Sequence, residues 1–146
     1  MRFAALALVV CLAGCSLTSS GNGGECTSDA QCGEEVCART GECLPRASVR
    51  DVTVRWTVDG APADTASCAS RQDLYLQFDG SDYGDTLRVA PVACSDGSGR
   101  ISKLPKRYVR VELGTEGGAS DVLPISTGSS AAAGDTAAQA QFDLHR

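Results

Sequence analysis

The chain has 146 residues, a formal net charge of -5 and a pI near 4.7. Such an acidic balance argues against general nucleic-acid binding, which needs cations to neutralise phosphates. The length suffices for one modest core plus a small stapled unit, and the eight cysteines set the chain apart from ordinary intracellular domains.

The chain opens Met1-Arg2-Phe3, with one positive charge, then runs Ala4-Ala5-Leu6-Ala7-Leu8-Val9-Val10-Cys11-Leu12-Ala13. A membrane-spanning helix needs about 20 apolar residues, so this shorter run reads as the apolar part of an export signal. It ends in Leu12-Ala13-Gly14-Cys15, followed by Ser16. Small residues at Ala13 and Gly14 admit an extended backbone to a peptidase cleft, and the Cys15 thiol is a nucleophile for lipid transfer. Cys11 follows Val9-Val10, which are too bulky for that pattern.

This segment resembles the lipobox of bacterial lipoproteins. The resemblance implies that residues 1–14 are cleaved as a signal peptide and that Cys15 becomes a lipidated N-terminus carrying palmitate-type chains. It also implies a protein anchored to the membrane of the cell envelope. In the well-studied Gram-negative families an Asp after the cysteine retains the protein at the inner membrane, so Ser16 points to the outer membrane. Each buried methylene contributes about 0.8 kcal/mol, so two or three chains hold firmly where one does not. Cleavage removes only Arg2 among charged residues and takes the net charge from -5 to -6.

Residues 15–24 hold the lipidated cysteine and a Ser/Thr/Gly/Asn-rich tether. Nine residues of such coil have an r.m.s. span of roughly 15–18 Å. With Cys11 and Cys15 set aside, Cys26, Cys32, Cys37, Cys43, Cys68 and Cys94 remain. An even set in an exported chain reads as disulfides. Zinc is disfavoured by the lack of a Cys-x-x-Cys pair and by a single histidine, His145. No cofactor or metal is expected.

Residues 25–45 carry Cys26-x5-Cys32-x4-Cys37-x5-Cys43 with almost no apolar material, so cross-links must replace a core. Thr40-Gly41 reads as the turn of a small hairpin joining Val36-Cys37 to Glu42-Cys43. Four cysteines allow three connectivities. The segment resembles short EGF-like cysteine-rich modules, whose order implies Cys26–Cys37 and Cys32–Cys43.

Pro45 closes this module, and residues 46–146 read as all-β. Val52, Val54, Trp56 and Val58 alternate with polar residues, the period of a half-buried strand. Asp59-Gly60-Ala61-Pro62 is a turn. Leu74, Leu76 and Phe78 mark a second strand. Leu87 and Val89 mark a third, with Pro91 signalling an edge or bend. Asp96-Gly97-Ser98-Gly99 turns into a short extended piece from Ile101 to Leu104. Val109, Val111 and Leu113 alternate strongly. Thr115-Glu116-Gly117-Gly118 precedes a further strand at 122–125. Residues 126–137 read as a loose loop, and Ala140, Phe142 and Leu144 form a closing strand. Cys68 and Cys94, alone in this region, are expected to pair. The fold class is therefore all-β: a small disulfide-stapled N-terminal module followed by an antiparallel β-sandwich of about seven strands.

Two stretches resemble the transthyretin-like or carboxypeptidase-regulatory-like sandwich. They are Val52-x-Val54-x-Trp56-x-Val58-x-Gly60 and the run from Ile101 through Leu104-Pro105-Lys106-Arg107-Tyr108-Val109-Arg110-Val111. Lys106 stands where that family usually has glycine, and one spacer residue is missing. The resemblance implies a passive scaffold or adhesion fold.

Several sites invite a functional reading. Asp79-Gly80-Ser81-Asp82-Tyr83-Gly84-Asp85 is rich in oxygen donors, but Tyr83 interrupts a calcium-loop pattern, and a polar hairpin loop is expected. Arg100, Lys103, Lys106, Arg107 and Arg110 place five of thirteen basic residues within eleven positions. This cluster reads as a charged edge that blocks sheet-to-sheet pairing, or as a patch for an anionic ligand. Trp56 is read as core. No Gly-x-Ser-x-Gly, His-Glu-x-x-His or phosphate loop occurs, so no catalytic residue is assigned and an enzyme is not expected. The expectation is a non-enzymatic, lipid-anchored envelope protein with a structural or protein-interaction role. The alternative is a module that binds glycan or lipopolysaccharide. The expected partners are the membrane, through the lipid, and an envelope protein, but not nucleic acid.

Overall fold

The computed structural model describes residues 25–69, 74–127 and 138–145. The export signal at 1–14, Cys11, Cys15, the tether at 16–24 and most of the expected loop at 126–137 lie outside the described residues.

The chain begins with a 3-10 turn at Asp29–Gln31 and a two-stranded hairpin, β1 (Val36–Cys37) and β2 (Cys43–Leu44). Cys37 faces Cys43 across it, and the turn passes through Gly41 at φ 82°. Disulfides join Cys26 to Cys37 and Cys32 to Cys43, the order that the EGF-like resemblance implied. A second 3-10 turn, Arg46–Ser48, leads into the sandwich.

The remaining strands are β3 (Val49–Val58), β4 (Ala61–Pro62), β5 (Leu74–Gly80), β6 (Thr86–Val92), β7 (Ser98–Pro105), β8 (Tyr108–Thr115), β9 (Ser120–Pro124), β10 (Ser126–Thr127) and β11 (Ala138–Leu144). One sheet runs β10-β11-β3-β4, with β7 also paired to β3, and the other runs β6-β5-β8-β9. Val52, Val54, Trp56 and Val58 of β3 meet Leu74, Leu76 and Phe78 of β5, Val111 and Leu113 of β8, and Phe142 and Leu144 of β11 in one buried cluster. The period-2 alternation of β3 and β11 builds this directly, since every second side chain must leave water. Trp56 lies in the core, and its Nε1–H donates to the Cys94 carbonyl at 2.6 Å. Cys68 and Cys94, disulfide-bonded, belong to the same cluster. Pro91 sits in β6, an edge strand, where its missing N–H breaks no ladder.

Three details depart from the sequence reading. β3 and β11, the first and last strands of the sandwich, pair in parallel, with Phe142 beside Trp56. Ser126–Thr127 and Ala61–Pro62 are short strands where loop and turn are expected, the second because the chain folds back to pair with Thr57 and Val58. Val109 is 43% exposed, although it was expected on the buried face with Val111 and Leu113. The cause is a bulge. Asp79 pairs with Arg110 but Gly80 pairs with Tyr108, so Val109 is the extra residue and the buried position passes to Tyr108.

Candidate functional site

The densest polar network lies where the cysteine-rich module meets the corner between β7 and β8. It starts from a second bulge. Arg50 pairs with Leu104 and Val52 with Ile101, so Ser102 and Lys103 together oppose Asp51. Ile101 and Leu104 are both buried as a result, and Lys103 adopts φ 53°, a left-handed conformation usually left to glycine. The Asp51 carboxylate steadies it by accepting the Lys103 N–H at 3.0 Å and the Arg100 guanidinium at 2.6 Å. The bulge turns the Lys103 carbonyl outward, where it accepts the Arg39 N–H of the module at 3.0 Å.

The Lys103 ammonium reaches both oxygens of Asp29, at 2.7 and 2.8 Å. Asp29 also accepts the Cys37 N–H at 2.9 Å. These contacts, the lysine first, hold the Asp29 carboxyl below the usual carboxylate range. Lys106 opens the turn and donates its N–H to the Ser48 carbonyl at 2.8 Å. Arg107 then presents its guanidinium fork to both oxygens of Glu42, at 2.5 and 3.0 Å, and its Nε–H to Asp85 at 2.7 Å. Glu42, ahead of Asp85, raises the arginine's affinity for its proton. The other Asp85 oxygen accepts the Tyr108 hydroxyl at 2.6 Å. That hydroxyl bond, ahead of Arg107, lowers the Asp85 carboxyl, while burial first and then Asp85 push the Tyr108 phenol up to about 12. Arg50 lies nearby and donates to the Tyr108 carbonyl, and its buried Nε has no hydrogen-bond partner.

The basic stretch therefore divides. Arg100 is paired within the sandwich, whereas Lys103 and Arg107 pair with acids of the module. Lys106 and Arg110 are exposed and form no ion pair among the described residues. Among the described residues β7 pairs only with β3 and is an edge strand, which its charges and bulge blunt. A groove of about 510 Å³ opens between the module and β7, with Glu25, Thr27, Arg39, Thr40, Ser102 and Lys103 on its walls.

Apart from Asp85, the other sites remain separate from this network. In the loop at 79–85, Asp85 turns inward to Arg107 and Tyr108, Asp79 accepts from Gln77, and Tyr83 is fully exposed. Its carboxylates thus do not converge on a cation site. His145 is 76% exposed, 3.8 Å from Asp143 and 3.9 Å from Asp59. The sulfurs of Cys26, Cys32 and Cys37 lie within 4.8 Å of one another, but each belongs to a disulfide and offers no thiolate. On the outer face of the second sheet Arg88 lies 3.7 Å above the Tyr75 ring, whose hydroxyl donates to Glu112 at 2.5 Å.

Sequence reading found the cations of the junction but missed their partners, Asp29, Glu42, Asp51 and Asp85. Two signals pointed that way. The module carries acids at Glu25, Asp29, Glu34, Glu35 and Glu42, opposite in sign to the stretch from 100 to 110. The three-residue spacing of Ile101 and Leu104 breaks strand alternation and marks the bulge. No protein-family model, no curated protein and no solved structure matches the chain, so its reading rests on this geometry and on the resemblances of its segments.

Proposed function

We propose that the chain is a non-enzymatic, lipid-anchored protein of the cell envelope, held at the outer membrane through Cys15. On this reading it acts as a structural or protein-interaction unit. The observation that carries it is the state of the sulfurs: all six cysteines beyond residue 15 are joined in disulfides. Such cross-links persist in oxidising compartments, which fits the export signal and leaves Cys15, in its lipobox-like setting, for the lipid. The docked module supports a structural role. It stands between the tether and the sandwich and fixes how the sandwich is presented. The transthyretin-like resemblance, with its scaffold or adhesion fold, points the same way. Engagement of Lys103 and Arg107 inside the molecule favours this reading over an open anionic-ligand patch.

The test is fractionation of cells that produce the wild type and Cys15→Ser. The wild type should enter the outer-membrane fraction, incorporate labelled palmitate and contain no free thiol in the mature chain. Cys15→Ser should lose the label and the membrane. A wild type recovered uncut and soluble, with reduced cysteines, would defeat the proposal.

A further inference from the structure

The clamp between module and sandwich is built from groups that an external anion would also use. Arg107 meets Glu42 through two parallel N–H bonds, the geometry in which arginine takes a phosphate or a free carboxylate. Lys103 takes both oxygens of Asp29. Lys106 lies between them in sequence, exposed and without an ion pair among the described residues. All four clamp side chains are between 31% and 42% exposed, so water and solutes reach the pairs.

The module is not part of the sandwich's apolar core. None of its residues belongs to the apolar cluster of the sandwich. Its own fold is fixed by two disulfides, and its covalent link to β3 is the short turn Arg46–Ser48. A cleft of about 330 Å³ opens at that hinge, between Leu44, Ala47 and Ser48 on one side and Pro105, Lys106 and Arg107 on the other. Among the described residues, the polar contacts between module and sandwich are two half-exposed ion pairs and one backbone hydrogen bond, from Arg39 to Lys103. Exposed ion pairs are weak in water and exchange readily.

We propose that Asp29 and Glu42 act as an internal substitute ligand for a cationic corner formed by Lys103, Lys106 and Arg107, whose external partner is a phosphate-bearing polyanion that binds by displacing the module. A polymer with closely spaced charges has an advantage over two isolated carboxylates, because each phosphate neutralised releases condensed counterions. The module's own disulfides keep it folded while it is displaced, so the exchange is reversible. The envelope reading above enters only in placing the protein where such polymers are met.

The experiment titrates the chain as isolated from cells, with or without lipid at Cys15, with a labelled inorganic polyphosphate at low salt. Replacing the internal ligands in the double variant Asp29→Asn, Glu42→Gln should tighten binding about tenfold, the sum expected for two half-exposed pairs. Adding Lys103→Gln and Arg107→Gln should abolish that gain. In the wild type, polyphosphate should speed hydrogen exchange at the Arg39 amide and leave the Trp56 indole N–H unchanged. Should the double variant misfold, by disulfide mapping or near-ultraviolet dichroism, Glu42→Gln alone and the wild-type exchange measurement decide the matter. No gain in affinity, a gain that survives loss of Lys103 and Arg107, or an unmoved Arg39 amide would each overturn the proposal. The titration does not depend on the fate of Cys15, so its failure is distinct from failure in the fractionation experiment.

Discussion

Residues 25–45 and the sandwich reach a fixed shape by different routes. In the module, Cys26, Val36 and Ala38 are the buried hydrophobic residues among those described, and two disulfides each span a sequence separation of 11. In the sandwich, apolar side chains from both sheets form one continuous buried cluster, with a single disulfide of separation 26 at its margin. Chain entropy explains the division. A segment this short cannot bury enough apolar area to offset its own ordering, so cross-links must restrict its unfolded state instead. The sandwich is thus expected to unfold cooperatively, whereas the module is locally rigid and attached through polar contacts that water can compete for.

The sharpest way to break the sandwich alone is Trp56→Ala. It removes a side chain 2% exposed and orphans the Cys94 carbonyl that accepts the indole N–H. A loss of about 3–5 kcal/mol is expected from the cavity. Urea unfolding followed by far-ultraviolet dichroism should show a lower midpoint, while the module disulfides remain closed. A variant as stable as the wild type would mean that the two sheets do not share a core at Trp56.

The converse variant, Cys32→Ser with Cys43→Ser, should open the module and spare the sandwich. A loop of this length is worth about 3 kcal/mol in the chain-entropy model, enough to unfold a segment with so few buried side chains. Amide exchange should rise through residues 29–43, with Trp56 fluorescence unchanged. Joint unfolding of both parts would refute the independence argued here.

Gly114→Ala probes the outer face of the second sheet with a smaller effect. A Cβ there would stand 2.8 Å from the Tyr75 hydroxyl and 2.7 Å from the Ser120 side chain, both too close. Tyr75 would have to leave Glu112 and its place beneath Arg88, at a cost of about 1–3 kcal/mol. The check is the urea midpoint of the variant, and an unchanged value would show that the tyrosine relocates freely.

The same division governs what the sequence disclosed. β3 and β11 were legible because both faces of a continuous ladder obey period two, and Val52, Val54, Trp56, Phe142 and Leu144 follow it without interruption. The parallel pairing of β3 with β11 was not legible, since alternation tells which face is buried and not which strand is the neighbour. Val109 departs from the expected face, and Lys103 from regular strand backbone, for a related reason. Each stands in a bulge, where one strand gains a residue and the alternation shifts phase. The spacing of Ile101 and Leu104 hints at the second bulge, but Lys103 itself carries no signal, because it holds a positive φ through Asp51 rather than by being glycine. The junction was half legible. Its cations cluster in sequence, but Lys103 lies 74 positions from Asp29 and Arg107 lies 65 from Glu42. Only the folded chain brings those charges together.

Acid should separate module from sandwich, with the smallest effect of those considered. The Asp29 carboxyl, which ties the module to Lys103, titrates below its ordinary value in the folded protein. A lowered carboxylate contributes stability that is complete above its unfolded value, about 4 for aspartate, and drains away as pH falls through the lower folded value. The groups facing Asp29 are Lys103, Arg46 and the Cys37 N–H, none of which changes charge in that range. The carboxylate alone therefore sets the pH window. The sandwich has lowered carboxylates of its own, Asp51, Asp85, Glu112 and Asp143, and loses stability over the same range, but its apolar cluster remains to hold it once the module's polar contacts are gone. On acidification below about pH 4, exchange at the Arg39 amide should accelerate, corrected for its intrinsic pH dependence, before the near-ultraviolet signal of Trp56 changes. Lys103→Met should remove most of that pH dependence, because Asp29 then lacks the cation that lowers it. A single transition shared by the Arg39 and Trp56 probes would mean that the module is docked by something stronger than its ion pairs.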